Sequence, residues 1–375
     1  MQGNYGSLFL YFTVYGISVF IAYFYQKKNY YGKNNFNIKN ILWRIFIILV
    51  PTLMTGFRSI YYCGKWSDTY SNYLSFMESG TNIHLALQDT RSLFFTIINY
   101  IIFKMSRGNV TVYFCIIAFV TLYFFLLSVE KRKGRTNLAL CLFLFYTFLG
   151  LRMLDQMRQL LAVTILSYSL CMLENNKIKK SIFYAILASL IHITALPIYL
   201  VFYLYSKVNL LNRKKYITIL TIIIIAIFIK PIINIISKFN LYGSYYNEYF
   251  TSSVSNGNIG MGLLLDSMPL LFLILYFMAK RPEKYERASS NLLYTFFLFR
   301  YMGYFSYFIM RMCYYSYTEG IIYFSKKYEI LKCKSSKIIF KICITIIMIS
   351  YFLIYFYFLM SKEGMYFPYI PFWVN

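Results

Sequence analysis

Acidic side chains are scarce in this chain, 13 against 38 lysines and arginines, and histidine occurs only twice. No second histidine or carboxylate stands near either one at metal-ligand spacing, so no metal site and no cofactor are expected. The seven cysteines (63, 115, 141, 171, 313, 333 and 343) are scattered, with no CxxC among them. They offer no disulfide framework and read as apolar filler. Charged residues of both signs make up only 14% of the 375 positions, which rules against two or three soluble domains. No repeat, soluble domain or low-complexity linker interrupts the chain.

What is present is hydrophobic. Apolar residues make up 59% of the chain, mean hydropathy is +0.54, and the apolar residues fall in blocks of about membrane-spanning length. The expected class is an all-α polytopic integral membrane protein. Aromatic residues reach 22%, and many tyrosines stand at block edges, where amphipathic rings favour the headgroup level. The net charge of +25 is spread over short connections rather than gathered on one domain. That is the pattern of membrane orientation, and no nucleic-acid partner is expected.

Hydrophobic blocks lie near 7–25, 41–57, 109–129, 137–150, 159–173, 216–237, 261–279, 289–310 and 338–360, with weaker ones at 91–105, 181–205 and 311–325. Basic clusters occupy 26–44, 130–136, 174–180, 206–215, 280–287 and 326–341. Treating 91–105 and 181–205 as re-entrant or broken segments puts all six clusters on the cytoplasmic face. This predicts about ten crossings (ten to twelve), both termini outside, and one polytopic domain over 1–375. A long extracytoplasmic loop at 58–90 and a second at 238–260 follow, with 151–158, 311–320 and 361–375 also on the outer face.

Polar chemistry concentrates in those outer segments. TGFRSIYYCGKWSDTYSNY (55–73) brings Arg58, Asp68 and Tyr73 together with Tyr61, Tyr62, Trp66 and Tyr70. An arginine fork suits phosphate oxygens, a carboxylate can take a sugar proton, and the rings suit sugar faces. An interfacial aromatic belt with a snorkelling arginine explains the same residues. In LRMLDQMRQLLAVTI (151–165), Arg152, Asp155, Gln156, Arg158 and Gln159 fall within about 160° of an ideal helical wheel. Cations at a helix N-terminus make an anion site, and an amphipathic interfacial turn is the alternative.

His192, in SLIHITALP (189–197), is either a general base or a helix-to-helix hydrogen-bond partner. His84 has no companion. In RMCYYSYTEG (311–320), Arg311, Tyr314, Tyr315 and Glu319 either face one cavity or form a turn at the membrane edge. Pro51, Pro197, Pro231 and Pro269 are candidate helix kinks.

The pieces RSIYYCGKWSDTYSNY, RQLLAV, HITAL and RMCYY occur in an order that resembles the EpsG family of Wzy-like polysaccharide polymerases. One departure is that Gly64 and Asp68 are separated by three residues, where the family has Gly-x-Asp. The resemblance implies joining of oligosaccharide repeat units, carried on polyprenyl diphosphate, into a surface polysaccharide (O-antigen, capsule or exopolysaccharide). It places this work on the outer side of a bacterial cytoplasmic membrane. Arg58, Arg152, Arg158 and Arg311 would neutralise the departing diphosphate, and either Asp68 or His192 would be the base. Tyr73, Gln159, Tyr314, Tyr315 and Glu319 are the remaining candidate substrate contacts. Direct displacement would invert the anomeric carbon without a metal. The lipid-linked oligosaccharide and membrane lipid are the expected partners, with a flippase and a chain-length regulator as further candidates. An O-antigen-type ligase and a lipid-linked glycan flippase or transporter are the rival readings.

Overall fold

A computed structural model describes residues 2–29, 38–60, 67–88, 93–132, 136–207, 307–330 and 369–373, with isolated positions between 338 and 354. The chain divides into two compact units. Met1–Ala195 and Met348–Asn375 form the first, and Leu196–Ile347 form the second.

Long apolar runs with few Gly or Pro residues become helices because the backbone groups must bond within the segment. The first unit contains α1 (Gln2–Asn29), α2 (Ile38–Gly56), α3 (Asp68–Thr81), α4 (Ile83–Gln88), α5 (Leu93–Ser106) and α6 (Val110–Glu130). It continues with α7 (Leu138–Phe145), a π-helical turn at Tyr146–Gly150, α8 (Leu151–Asp155), α9 (Met157–Glu174) and α10 (Ile178–Ile191). Next comes α11 (Ala195–Lys207), and α12 (Tyr307–Ile330) lies within the second unit. Side-chain caps set several starts: Ser67 accepts from Tyr70 N–H, Asn109 from Val112 N–H and Asn137 from Leu140 N–H, at 2.9–3.1 Å.

Helix α6 packs between α2 and α9, α9 also packs on α10, and α1 packs on α2 and α7. Small residues allow the close approaches. A Cβ on Gly56 would overlap the Cys115 sulfur of α6, and one on Gly80 would overlap the Phe103 ring of α5. The α5–α6 turn is made by Arg107 and Gly108, both at positive φ (54° and 75°).

The expectation of about ten crossings is corrected here. Among the described residues, four helices are long and apolar enough to cross a membrane: Tyr5–Lys28, Ile38–Gly56, Val110–Glu130 and Leu138–Asp155. Of the blocks counted as crossings, 311–325 lies on α12, which carries Arg311 and Glu319 and falls outside the four. The two segments expected to be re-entrant or broken, 91–105 and 181–205, form short helices. Block 91–105 yields α5 of 14 residues, about 21 Å against a hydrocarbon core of about 30 Å. Moreover, both ends of α5 stay at one end of the bundle. Phe95 in its first turn meets Arg158 at the start of α9. Phe103 in its last meets Phe76, which stacks on Tyr113 at the start of α6. Block 181–205 is interrupted at His192, which gives helices of 14 and 13 residues. Helix α9 carries Arg158, Gln159 and Glu174 in its end turns and falls outside the four. Blocks 216–237 and 261–279, most of 289–310 and much of 338–360, and with them Pro231, Pro269 and the segment 238–260, lie outside the described residues.

Among the described residues of 58–90 the chain is largely helical, as α3 and α4.

Candidate functional site

At the end of α2 the chain leaves the helix at Phe57 and extends through Arg58 and Ser59. The C-terminal segment lies alongside in antiparallel fashion. Ser59 N–H donates to the Ile370 carbonyl (2.7 Å), and Phe372 N–H donates to the Phe57 carbonyl (2.8 Å). Arg58 faces Pro371 across this bridge. Tyr369 ties the segment further in. Its hydroxyl donates to the Met54 carbonyl (2.7 Å), its N–H donates to Ser7 Oγ (2.8 Å), and its ring meets Tyr11 edge-on. Burial pushes the Tyr369 phenol up to about 12, against the opposing pull of the Arg58 charge, so it stays protonated as a donor.

Arg58 is buried, and its Nη1 donates to the Leu154 carbonyl at 3.3 Å. The same carbonyl accepts the Thr69 hydroxyl at 2.8 Å. Next to it, Asp155 is only 3% exposed and takes both the Thr69 N–H (3.1 Å) and the Thr69 hydroxyl (3.2 Å). A carboxylate at the first turn of α3 accepts amide hydrogens that no helix carbonyl can reach. Asp68, the first residue of α3, is half-buried and acts on Asp155 as a like charge, while Arg58 acts on it as the opposite one. The tips of α2, α3 and α8 therefore converge around Arg58, Asp68 and Asp155. Tyr70 and Tyr73 lie on α3 with their rings 5.9 Å apart. Tyr61, Tyr62 and Trp66 lie outside the described residues.

The straight wheel over 151–165 is not what forms. The helix stops at Asp155, Gln156 adopts φ −91° and ψ 45°, and α9 begins at Met157. Gln156 N–H still bonds the Arg152 carbonyl (2.7 Å). The break places Arg158 and Gln159 in the first turn of α9, apart from half-buried Arg152 on α8. The Arg158 guanidinium lies 5.5 Å from the centroid of the Phe95 ring and acts electrostatically on the Tyr113 phenol. Gln159 is buried.

His192 ends α10 with its N–H on the Ala188 carbonyl and its Nδ1 2.7 Å from Thr194 Oγ1. It stands at the break between α10 and α11. His84 is exposed on α4. In the second unit, Arg311, Tyr314, Tyr315 and Glu319 lie on the continuous helix α12 rather than in a turn, with Tyr314, Tyr315 and Glu319 buried. Among the described residues no group of three or more His, Cys, Asp or Glu could hold a metal ion.

Thr69, Tyr15 and residues 369–372 were not visible as site residues from motif reading. Thr69 had only its place beside Asp68 as a signal. The segment had Pro371, which favours extended backbone. Tyr15 packs between Tyr11 and Tyr146 and over Gly150, where an added Cβ would lie 2.9 Å from its ring, and Arg58 acts on it electrostatically.

Comparison with protein families matches residues 40–371 to the EpsG family. No curated protein and no solved structure matches the chain.

Proposed function

The chain belongs to the EpsG family of polysaccharide polymerases, and on that premise we propose that it joins polyprenyl-diphosphate-linked oligosaccharide units into a surface polysaccharide. The reaction takes place on the outer side of a bacterial cytoplasmic membrane. The observation that carries this reading is the convergence of Arg58, Asp68 and Asp155 at one end of the helices. That end is opposite the one bearing Lys27, Lys28, Arg44, Lys131, Arg132 and Lys177. Basic residues flanking spans stay cytoplasmic, which supports an outer location for the Arg58 end.

The acceptor hydroxyl attacks the anomeric carbon of the donor sugar. A new carbon–oxygen bond forms, and the bond to the diphosphate oxygen breaks with its electron pair leaving on polyprenyl diphosphate. Arg58 and Arg158 hold that growing negative charge as bidentate donors. Arg152 on α8, Gln159 on α9 and Tyr73 on α3 contribute sugar and phosphate contacts. Asp155 is committed to Thr69, so half-buried Asp68 is the better base for the hydroxyl proton, ahead of His192. In-line displacement inverts the anomeric centre.

Deleting the gene in its host and analysing the lipid-linked glycan tests the reading. A polymerase loss leaves single repeat units on the carrier in the outer leaflet. Single units confined to the inner leaflet would indicate a flippase, finished chains left on the lipid carrier would indicate a ligase, and unchanged long chains would rule out all three.

A further inference from the structure

We infer that the segment Tyr369–Phe372 is a positioning clamp for Arg58: two backbone hydrogen bonds on either side of Arg58 aim its guanidinium at the diphosphate. The inference rests on the function proposed above. The geometry is specific. Phe57 and Ser59, the two neighbours of Arg58, each bond the segment, one as acceptor and one as donor. Arg58 and Pro371 therefore form the closely spaced pair of an antiparallel bridge, whose hydrogen bonds run through their neighbours rather than between the two residues themselves. A proline is tolerated at that position because its missing N–H has no partner to lose. Directly opposed residues project to the same face, so the Pro371 ring and the Arg58 side chain share a side of the bridge.

With the backbone held at 57 and 59, the direction of the Arg58 side chain is set before its Nη1 reaches the Leu154 carbonyl. Nothing else described along this extended stretch provides a regular ladder. Tyr369 anchors the clamp at both helices beneath it, through Met54 of α2 and through Ser7 and Tyr11 of α1. The aromatic contacts of Phe57 with Phe372 and Trp373, at 5.7 and 5.8 Å, close the outer edge. A segment distant in sequence thus sets the position of an arginine that the motif alone would leave to a loop.

The test is a double-mutant cycle on purified protein in detergent, with radiolabelled polyprenyl diphosphate as the probe. Phe372→Pro removes the ring and the N–H, and Phe372→Ala removes the ring alone. Phe372→Pro should bind the probe about fivefold more weakly than Phe372→Ala, the size of one hydrogen bond. In an Arg58→Ala background that difference should vanish, which a general loss of fold would not produce. Tyr369→Phe, which keeps the ring and deletes the bond to Met54, should weaken binding two- to fivefold, again only when Arg58 is present. It provides the reading if the position-372 variants do not fold. An equal loss in both backgrounds, or no loss at all, would overturn the clamp alone. Probe binding that is the same in the Arg58→Ala variant as in the wild type would overturn the diphosphate role of Arg58 and the clamp with it.

Discussion

The two ends of the first unit use arginine differently. At the basic end, Arg44 pairs with Glu130 at 2.7 Å, and Arg132 pairs with Glu174 at 2.8 Å while also bonding Ser167. Each pair links separate elements, α2 to α6 and the end of α6 to α9, and both are largely buried. At the other end, Arg58 bonds a main-chain carbonyl, Arg158 lies over a phenyl ring, and the buried carboxylate Asp155 takes a helix amide and a hydroxyl. One end uses charge pairs as braces between helices. The other uses polar groups to organise the α2–α3 connection around an arginine. The first arrangement serves stability, and on the proposed function the second serves recognition.

Substitutions can break that contrast. The largest effect is expected from Arg132→Ala, which strands Glu174 in a buried site and should cost about 3–5 kcal/mol in thermal or denaturant unfolding. The paired change Arg132→Met with Glu174→Leu should recover most of it. If Arg132→Ala left stability unchanged, the brace reading would fail. Next in size, Arg158→Ala should lower polymerisation about a hundredfold, as loss of one charge-stabilising donor does. Its melting temperature should hardly move, because the side chain is only half-buried. Arg158→Lys keeps the charge but not the fork and should fall between. Full activity in both variants would remove Arg158 from the site. The smallest effect is expected from Thr69→Val, which deletes the hydroxyl bonds to Leu154 and Asp155 and should cost about 1–2 kcal/mol. Comparing its unfolding and turnover with the wild type shows whether α3 is held for stability, for activity or for both.

Much of the helical layout was legible in the residues. The apolar runs at 7–25, 41–57 and 109–129 became α1, α2 and α6, and RSIYYCGKWSDTYSNY with RQLLAV pointed to the family that comparison supports. The number of crossings was not legible, because blocks 159–173 and 311–325 have apolar stretches in helices that also carry Arg158 and Glu174, or Arg311 and Glu319, and neither is among the four. The wheel drawn over 151–165 assumed an unbroken helix. Asp155 instead bonds Thr69, and the chain turns at Gln156, which separates Arg152 from Arg158. Nothing local to 155 announces that its partner lies on α3.

The sequence by itself determined membrane class, helical character and the presence of arginine and carboxylate beside the second helix, because composition and spacing act locally. Only the tertiary structure decided which polar groups meet. Arg58 finds Leu154 across 96 positions, and its neighbours find Ile370 and Phe372 from the far end of the chain. Backbone carbonyls and amides are the same in every residue but proline, so no side-chain pattern says in advance which of them will pair.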